Sequence, residues 1–267
     1  RGFAKALKKA AGMKIQPKFA SWEDAFDALE EYIESLPLEK RKVIFIDEMP
    51  WIDTPKSEFV EALESFWNGW GARRNDIMLI ASGSASSWMM DKLVDNPGGL
   101  HARITNNIYI RPFTLKETEE YLLSRGIHWS RYQILQLHMV MGGVPFYLSL
   151  LDPKKNVPDN IDTLFFSAEP ELENEYQRLF NSLFKNAESY MEIVRLLSTH
   201  RDGYTRTEIA NELKIPDNGH LSDMLDDLEH CDFVRRYNNG TLQKNGIYQL
   251  VDFFSLFHYQ FGIRRVT

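Results

Sequence analysis

Length, composition and charge exclude several classes of protein. The 267-residue chain has 43% apolar and 26% charged residues, the usual balance of a globular protein, and it is long enough for one large or two modest domains. It contains neither an apolar stretch of 18 residues nor a signal-peptide pattern, so we expect no membrane span and a cytoplasmic location. The single cysteine, Cys231, excludes an internal disulfide, fits a reducing compartment and is interpreted as a small core residue.

The first 40 residues are predicted to be mostly helical and begin with a basic stretch. The sequence RGFAKALKKAAGMKIQPK carries six Lys/Arg and no acid up to Lys18, whereas the whole chain has a formal charge of −7. A protein that clamps nucleic acid over its whole surface is usually basic, so any DNA contact here requires a local patch such as this one. The simpler interpretation is an amphipathic helix with a solvated basic face. In the next segment Ser21 is predicted to cap a helix, with Asp24 in its first turn.

Residues 42–113 alternate between strand and helix patterns. Apolar runs predict strands at 42–47, 77–82 and 107–111, and SEFVEALESFWNGW predicts a helix between the first two. A spacing of about thirty residues from strand to strand is that of a βαβ unit. Strands this apolar predict a parallel sheet that is covered by helices on both faces.

The first predicted strand runs into two adjacent acids, Asp47 and Glu48. Burying an acid costs several kcal/mol unless a cation or a hydrogen-bond donor meets it, and the carboxyl edge of a parallel sheet is where such sheets bind ligands. We therefore expect Asp47 to hold Mg²⁺ against the phosphates of ATP and Glu48 to polarise the attacking water. The alternative is a polar turn whose acids cap the next helix, because the motif alone is short and unspecific.

The second predicted strand ends in small hydroxyl residues at the same edge of the sheet. The sequence DIMLIASGSAS places Ser82 and Ser84 there, and a short polar side chain could hydrogen-bond a γ-phosphate or the attacking water. For Ser82 we favour a plain Gly/Ser turn. For Ser84 both interpretations stay open.

Five motifs occur in a fixed order: KVIFIDEMPW, IMLIASGSASSWM, GGLHARI, IYIRPFTLKETEEYL and MGGVPFYLSLL. Together they resemble the prokaryotic P-loop ATPases called archaeal-type ATPases, in the broad AAA+/STAND group, and the resemblance covers nearly the whole chain. It implies an α/β fold with a parallel-sheet nucleotide-binding core over 1–113, truncated at its N-terminus, and a helical lid and linker over 114–186. It further implies a winged-helix domain over 187–251 and the start of a further C-terminal segment over 252–267.

The resemblance also implies roles for single residues of the core. Asp47 and Glu48 match the Walker B acids, and Ser84 falls near the sensor 1 position. Arg103 matches a basic residue where AAA+ proteins keep an arginine finger, which stabilises charge on the transferred phosphoryl group and often comes from a neighbouring subunit. The alternative for Arg103 is a surface ion pair.

In the lid, Gly143, Val144 and Pro145 resemble the GxP motif of STAND ATPases, whose proline packs near the adenine. A plain helix break is the alternative, because Gly142-Gly143 is expected to end one helix and Pro145 to stiffen the start of the next.

The phosphate loop of this family is absent from the sequence. No G-x-x-x-x-G-K-[ST] occurs in the 267 residues, and that loop supplies the backbone N–H groups and the lysine that hold the phosphates. Since the chain begins with Arg1 rather than methionine, we expect the first strand and the loop to lie upstream. The alternative is a degenerate domain that no longer binds ATP. Without the loop, this polypeptide is expected to hydrolyse ATP poorly or not at all.

Three helices and a two-stranded hairpin around an Asn-Asn-Gly turn predict the winged helix. From residue 203 to 251 there are five Lys/Arg and eight Asp/Glu, and the third helix is acidic. Because DNA affinity depends on neutralising phosphates, we expect this domain to be mainly a packing or protein-contact element. Arg235, Arg236 and Lys244 form its one basic cluster and make DNA contact a secondary possibility. His220 and His230 lack partners at zinc spacing.

The sequence therefore predicts a Mg²⁺-dependent switch or motor domain that binds or hydrolyses ATP. A protein partner or self-association is expected, since an arginine finger at Arg103 requires a neighbour. The alternative is a non-enzymatic regulator that binds DNA or a partner protein through its winged helix, with a degenerate ATPase core as scaffold.

Overall fold

The computed structural model describes residues 2–37, 39–84, 86–94, 100, 103–237 and 246–262. The chain divides into two compact units, Arg1–Asn107 and Ile108–Thr267. The division falls six residues before the boundary at 113 that the sequence suggests. In the described part of the chain, no helix has the length and apolar character needed to cross a membrane.

The first unit alternates helices with two strands. Its elements are α1 (Gly2–Ala10), α2 (Trp22–Glu34), β1 (Lys42–Ile46), α3 (Met49–Ile52), α4 (Phe59–Gly69), β2 (Ile77–Ala81) and α5 (Ser86–Met89). The predicted cap of α2 is confirmed: Ser21 Oγ accepts from the Asp24 amide at 3.1 Å, and the Asp24 carboxylate accepts from the Ser21 amide at 3.2 Å. This reciprocal pair satisfies two amides that the first turn of a helix leaves unpaired.

The two strands of this unit are parallel, as the sequence predicts. Their register runs from Lys42↔Ile77 to Ile46↔Ala81, and α4 forms part of the connection between them. One face of the sheet packs on a helical core that contains Phe26, Phe59 and Leu63, all almost fully buried. Each such side chain contributes about 1.5–3 kcal/mol through its removal from water, so this core holds the strand pair in place.

The other face of the strand pair is uncovered by the described residues, which corrects the prediction of helices on both faces. Val43 and Phe45 are 58% and 59% exposed, and their cross-strand neighbours Met78 and Ile80 are 43% and 42% exposed. We call these four residues the bare face. Side chains alternate between the two faces of a strand, so the same strands that bury Ile44 and Leu79 in part must present these four to the other side.

The predicted third strand at 107–111 is wrong for this structure. The segment has no strand pairing among the described residues, and Ile108 and Ile110 are 81% and 89% exposed. An apolar alternation becomes a strand only where a neighbouring strand takes its backbone hydrogen bonds. Instead, Tyr109 Oη donates to the His230 carbonyl at 2.8 Å and to the Asp232 carboxylate at 2.9 Å.

The second unit is mainly helical and ends in a small antiparallel sheet. Its elements are α6 (Leu115–Ser124), α7 (Arg131–Met141), α8 (Pro145–Ser149), α9 (Val157–Ile161), α10 (Glu175–Leu183), α11 (Ala187–Ser198), β3 (Tyr204–Thr205), α12 (Arg206–Leu213), α13 (Gly219–His230), β4 (Val234–Tyr237), β5 (Ile247–Leu250) and α14 (Phe253–Phe257). The strands are ordered β3–β5–β4. One core joins the helices to this sheet and includes Leu137, Phe180, Leu225 and Phe254.

Several local features of this unit differ from the sequence expectation or extend it. The short strand β3 was not predicted, and the expected Asn-Asn-Gly turn lies outside the described residues. Cys231 follows the last residue of α13 and packs partly buried against the core, so it is not a fully buried core residue. The segment after residue 252 begins with α14, whose Phe254 is buried in the core of this unit.

The amino ends of β1 and β2 are joined by an ionic cluster. The Asp76 carboxylate accepts from Lys42 Nζ at 2.7 Å and from Arg74 Nε and Nη2 at 2.9 and 2.8 Å, and the Asp76 carbonyl accepts from the Lys42 amide at 2.7 Å. The hydrogen bonds from Arg74, and next those from Lys42, hold the pKa of Asp76 well below its ordinary value of 3.8. The cluster therefore favours the folded state whenever Asp76 is ionised.

We predict that Asp76→Asn lowers the melting temperature at neutral pH, because two cations lose their shared partner. Since the pKa of Asp76 is lower in the folded state, its contribution is fully present above the unfolded-state value of 3.8 and is lost as the pH falls below that value. The gap in melting temperature between wild type and variant should therefore close in acid. Thermal melts followed by circular dichroism test this, with the exposed Glu61→Gln as control. Equal melting temperatures at neutral pH would contradict it.

Candidate functional site

The carboxyl ends of β1 and β2 bring the predicted acids and serines together. The hydrogen-bond ladder continues past the strands, with the Ser82 amide donating to the Ile46 carbonyl and the Met49 amide donating to the Ser82 carbonyl, both at 2.9 Å. Asp47 and Glu48 therefore lie beside Ser82–Ser84, as expected for two parallel strands that end at the same edge.

Each acid is hydrogen-bonded to one serine. Ser82 Oγ donates a short hydrogen bond to Asp47 Oδ1 and accepts from the Glu48 amide at 3.4 Å. Ser84 donates to Glu48 Oε2 twice, from Oγ at 2.8 Å and from its amide at 3.2 Å. We call these four residues the acid–serine cluster. The sequence interpretation favoured a plain turn for Ser82 and did not anticipate its bond to Asp47. The signal that could have found it is the equal length of the two strands, which places residues 47 and 82 opposite each other.

The backbone at Glu48 has an unusual conformation. Its φ and ψ are 54° and 53°, in the left-handed region that non-glycine residues seldom occupy. The helix α3 begins immediately afterwards, with Met49 fully buried in the core and Pro50 in its first turn. Met49 therefore anchors the turn, and the left-handed residue before it carries the carboxylate that Ser84 holds. Such outliers persist where the surrounding structure over-determines them and are concentrated at functional sites.

Gly83 allows the two halves of the cluster to approach each other. A Cβ atom at this position would lie 2.8 Å from both Pro50 Cδ and Met89 Sδ. Any larger residue would push α3 or α5 away, so the spacing between the two serines requires glycine.

The cluster offers oxygen ligands to a cation but cannot enclose one by itself. Asp47 and Ser84 are exposed, and Glu48 and Ser82 are partly exposed. Among the described residues, no group of three or more His, Cys, Asp or Glu could hold a metal ion. Mg²⁺ in phosphate-processing sites takes one or two carboxylates, with the remaining ligands from phosphates and water. The donor set therefore fits Mg²⁺ accompanied by a phosphate ligand.

Arg103 belongs to the first unit and is exposed. Its Nε donates to the Asn68 side-chain oxygen at 3.0 Å. The partner, Asn68, is a neutral amide of α4. The surface ion pair that the sequence analysis gave as the alternative for Arg103 is therefore not found among the described residues. Among the described residues, no hydrogen bond or ion pair joins Arg103 to the acid–serine cluster.

The Gly-Gly-Val-Pro motif lies in the second unit and breaks the helix as predicted. The helix α7 ends at Met141, Gly142 has a φ of 60°, and α8 begins at Pro145. Gly143 is buried, and its carbonyl accepts from the Phe113 amide at 2.7 Å. A Cβ atom on Gly143 would lie 1.8 Å from the Phe113 carbonyl oxygen, so this close approach of two backbones requires glycine.

The predicted basic cluster of the small sheet is only partly described. Arg235 and Arg236 are exposed on β4, and the Arg236 guanidinium lies 5.6 Å from the ring centre of Tyr248. Lys244 lies outside the described residues. In α13, Asp227 accepts from Tyr190 Oη at 2.5 Å, so one of its acids is used within the fold.

Comparison with known proteins finds similar proteins at low sequence identity. No family model matches the chain. It is 24% identical over 258 residues to the uncharacterized protein MJECL04 of Methanocaldococcus jannaschii, a match that covers 95% of this chain and 55% of that protein. The chain thus spans about half the length of this curated relative.

Two solved structures are similar. The Walker-type ATPase paby2304 of Pyrococcus abyssi aligns with a TM-score of 0.62 at 15% identity, over 96% of this chain and 75% of that one. The ORC1 protein of Aeropyrum pernix, solved in complex with DNA, aligns at 13% identity over 99% of this chain and 75% of that one, with a TM-score of 0.37 that is too low for structural inference. The first alignment shows that this chain has a mixed α/β fold similar to that of this Walker-type ATPase.

We predict that Gly143→Ala destabilises the second unit, because the new methyl group meets the Phe113 carbonyl. Overpacking of this kind costs about 1–3 kcal/mol, and a clash with backbone is at the upper end. Urea unfolding of the purified chain measures the loss. The matched control is Gly219→Ala, where nothing lies within 4 Å of the new Cβ atom. A Gly143→Ala variant as stable as this control would contradict the prediction.

Proposed function

We propose that this chain is the ATP-binding and ATP-hydrolysing domain of a switch or motor protein of the AAA+/STAND type. The observation that supports it best is the acid–serine cluster at the carboxyl edge of a parallel strand pair, within a fold similar to that of a Walker-type ATPase. In open α/β sheets this edge is where ligands bind.

In this proposal each side chain of the cluster has a distinct role. The carboxylate of Asp47, which the hydroxyl of Ser82 orients, would hold Mg²⁺. When bound, Mg²⁺ would supply positive charge that neutralises the negative charge developing on the phosphates of ATP. Glu48 accepts a proton from the attacking water while the water oxygen bonds to the γ-phosphorus and the bond to the ADP oxygen breaks. Ser84 fixes the Glu48 carboxylate through two hydrogen bonds. Arg103 is proposed to contact the transferred phosphoryl group. The Gly143–Pro145 motif is proposed to contact the adenine.

The bare face supports the further proposal that the working core contains more polypeptide. Parallel sheets are covered on both faces, yet four apolar side chains of β1 and β2 are about half exposed in the described chain. A strand and helix that carried the missing phosphate loop would cover this face and complete the sheet.

For the second unit we propose a helical lid followed by a winged helix. Support comes from the order α11, β3, α12, α13, β4 and β5, with the three strands antiparallel. We propose that this module contacts protein more than DNA. The exposed acids on α13 repel phosphates, and a protein partner or a second copy of the chain can accept them.

We predict that Glu48→Gln in the full-length protein keeps ATP binding and lowers its turnover by about 10²–10⁴-fold, because the amide cannot accept the proton. Isothermal titration calorimetry measures binding, and phosphate release measures turnover. Glu61→Gln, an exposed carboxyl on α4, serves as the control for charge loss. Unchanged turnover in Glu48→Gln would remove Glu48 from the mechanism. Absence of Mg²⁺-dependent ATP binding in the wild type would favour the non-enzymatic regulator.

We predict that Ser84→Ala lowers kcat by about 10–100-fold with little change in KM, since the hydrogen bond that it removes from a charged carboxylate is worth about 1.5–3 kcal/mol. Ser84→Thr keeps the hydroxyl and should restore most of the turnover. Steady-state kinetics on the full-length protein distinguish the two variants. Equal losses in both would indicate a steric role in place of a hydrogen-bonding one.

A further inference from the structure

The N-terminal stretch of this acidic chain carries only positive charge. The first 18 residues carry six of the 31 Lys/Arg and none of the 38 Asp/Glu, and the first acid is Glu23. Five lysines of this stretch are described by the structure, and we call them the lysine surface: Lys5, Lys8, Lys9, Lys14 and Lys18. Charge asymmetry of this kind points to a polyanionic partner.

The helix α1 orients three of these lysines in one direction. At 100° per residue, Lys5, Lys8 and Lys9 fall within about a third of the helix circumference. Leu7, on the opposite side, and Ala4, at the edge of the lysine arc, are buried. Lys5 and Lys9 are exposed and Lys8 is partly exposed, and Lys14 and Lys18, which follow the helix in the chain, are exposed as well.

The apolar side of α1 is already occupied by the protein itself. The Phe3 ring lies 5.6 Å from that of Trp22 and 6.0 Å from that of Phe26, both in α2. Tyr32 Oη donates to the Ala10 carbonyl at 2.8 Å and so holds the last turn. A basic helix that binds a membrane surface buries its apolar side in the lipid. In α1 that side is not available, so only its charged side can meet a partner.

In the part of the chain that the structure describes, no ion pair neutralises the lysine surface. The ion pairs found among the described residues use other cations, and none involves these five lysines. The neighbouring helix α2 is acidic, and its carboxylates form no ion pair with these lysines among the described residues. The positive charge therefore faces solvent, where it is able to replace the counterions of a polyanion.

We propose that the lysine surface binds the phosphate backbone of a nucleic acid without reading its sequence. Lysine side chains are suited to contact phosphates. Such contacts position a protein on a duplex but do not select its sequence. The proposal is independent of ATP binding. It places the contact with nucleic acid near the N-terminus, whereas the sequence suggests Arg235, Arg236 and Lys244 for this role.

Fluorescence anisotropy with a short labelled DNA duplex tests the proposal on the full chain, at salt concentrations from about 50 to 200 mM. The triple variant Lys5→Gln, Lys8→Gln and Lys9→Gln should bind at least about tenfold more weakly at the lowest salt. Its plot of log affinity against log salt should be shallower by about 1 per lysine, or about 3 in total. Replacing the same three lysines by arginine should preserve both values.

The matched control is the triple variant Lys40→Gln, Lys116→Gln and Lys154→Gln, which removes equal charge from exposed lysines elsewhere and should bind like wild type. The proposal is overturned by either of two results. One is equal binding by the first variant and wild type. The other is binding to vesicles of phosphatidylserine and phosphatidylcholine, lost in the first variant, together with no binding to duplex DNA or RNA.

Discussion

The parallel pairing of β1 with β2 is the constraint on which the first unit depends. Its register sets Lys42 opposite Ile77 at one end and Ile46 opposite Ala81 at the other. At the amino ends it places Asp76 where Lys42 and Arg74 both bind it. At the carboxyl ends it extends by two further hydrogen bonds, which hold Asp47 beside Ser82. A slip of one residue would turn every side chain to the other face and separate the acids from the serines.

The same pairing explains why the site is constrained and open at once. Buried Met49 and close-packed Gly83 fix the turns that follow the strands, and Glu48 takes a left-handed conformation between them. The carboxylates nevertheless stay accessible, with hydroxyl donors on one side and solvent on the other. Fixed polar groups in front of an open space are suited to a ligand that brings its own charge, and a magnesium–phosphate group is of that kind.

Charge is distributed unevenly along the chain. The lysine surface begins on a helix that aromatic contacts fix to α2, whereas the exposed acids of the second unit are spread over several helices and loops. An acidic chain is therefore able to offer one local surface to phosphates while its remaining surface repels them. The two proposed phosphate contacts, one with nucleotide and one with nucleic acid, involve different residues of the first unit.

Local patterns in the sequence determined the elements whose cause is local. The capping box at Ser21, the break of α7 before Pro145 and the two apolar strands follow from side chains within a few residues of each other. The approach of Asp47 and Glu48 to two hydroxyls was also predictable in outline, because parallel strands end at one edge. What only the tertiary structure decided depends on partners distant in the chain. Residues 107–111 have a strand pattern but no neighbouring strand, and Tyr109 is held by His230 and Asp232. Packing likewise decides which face of β1 and β2 is buried, and the register of the strands decides the hydrogen bond between Ser82 and Asp47. The alternation of apolar residues along the sequence predicts neither.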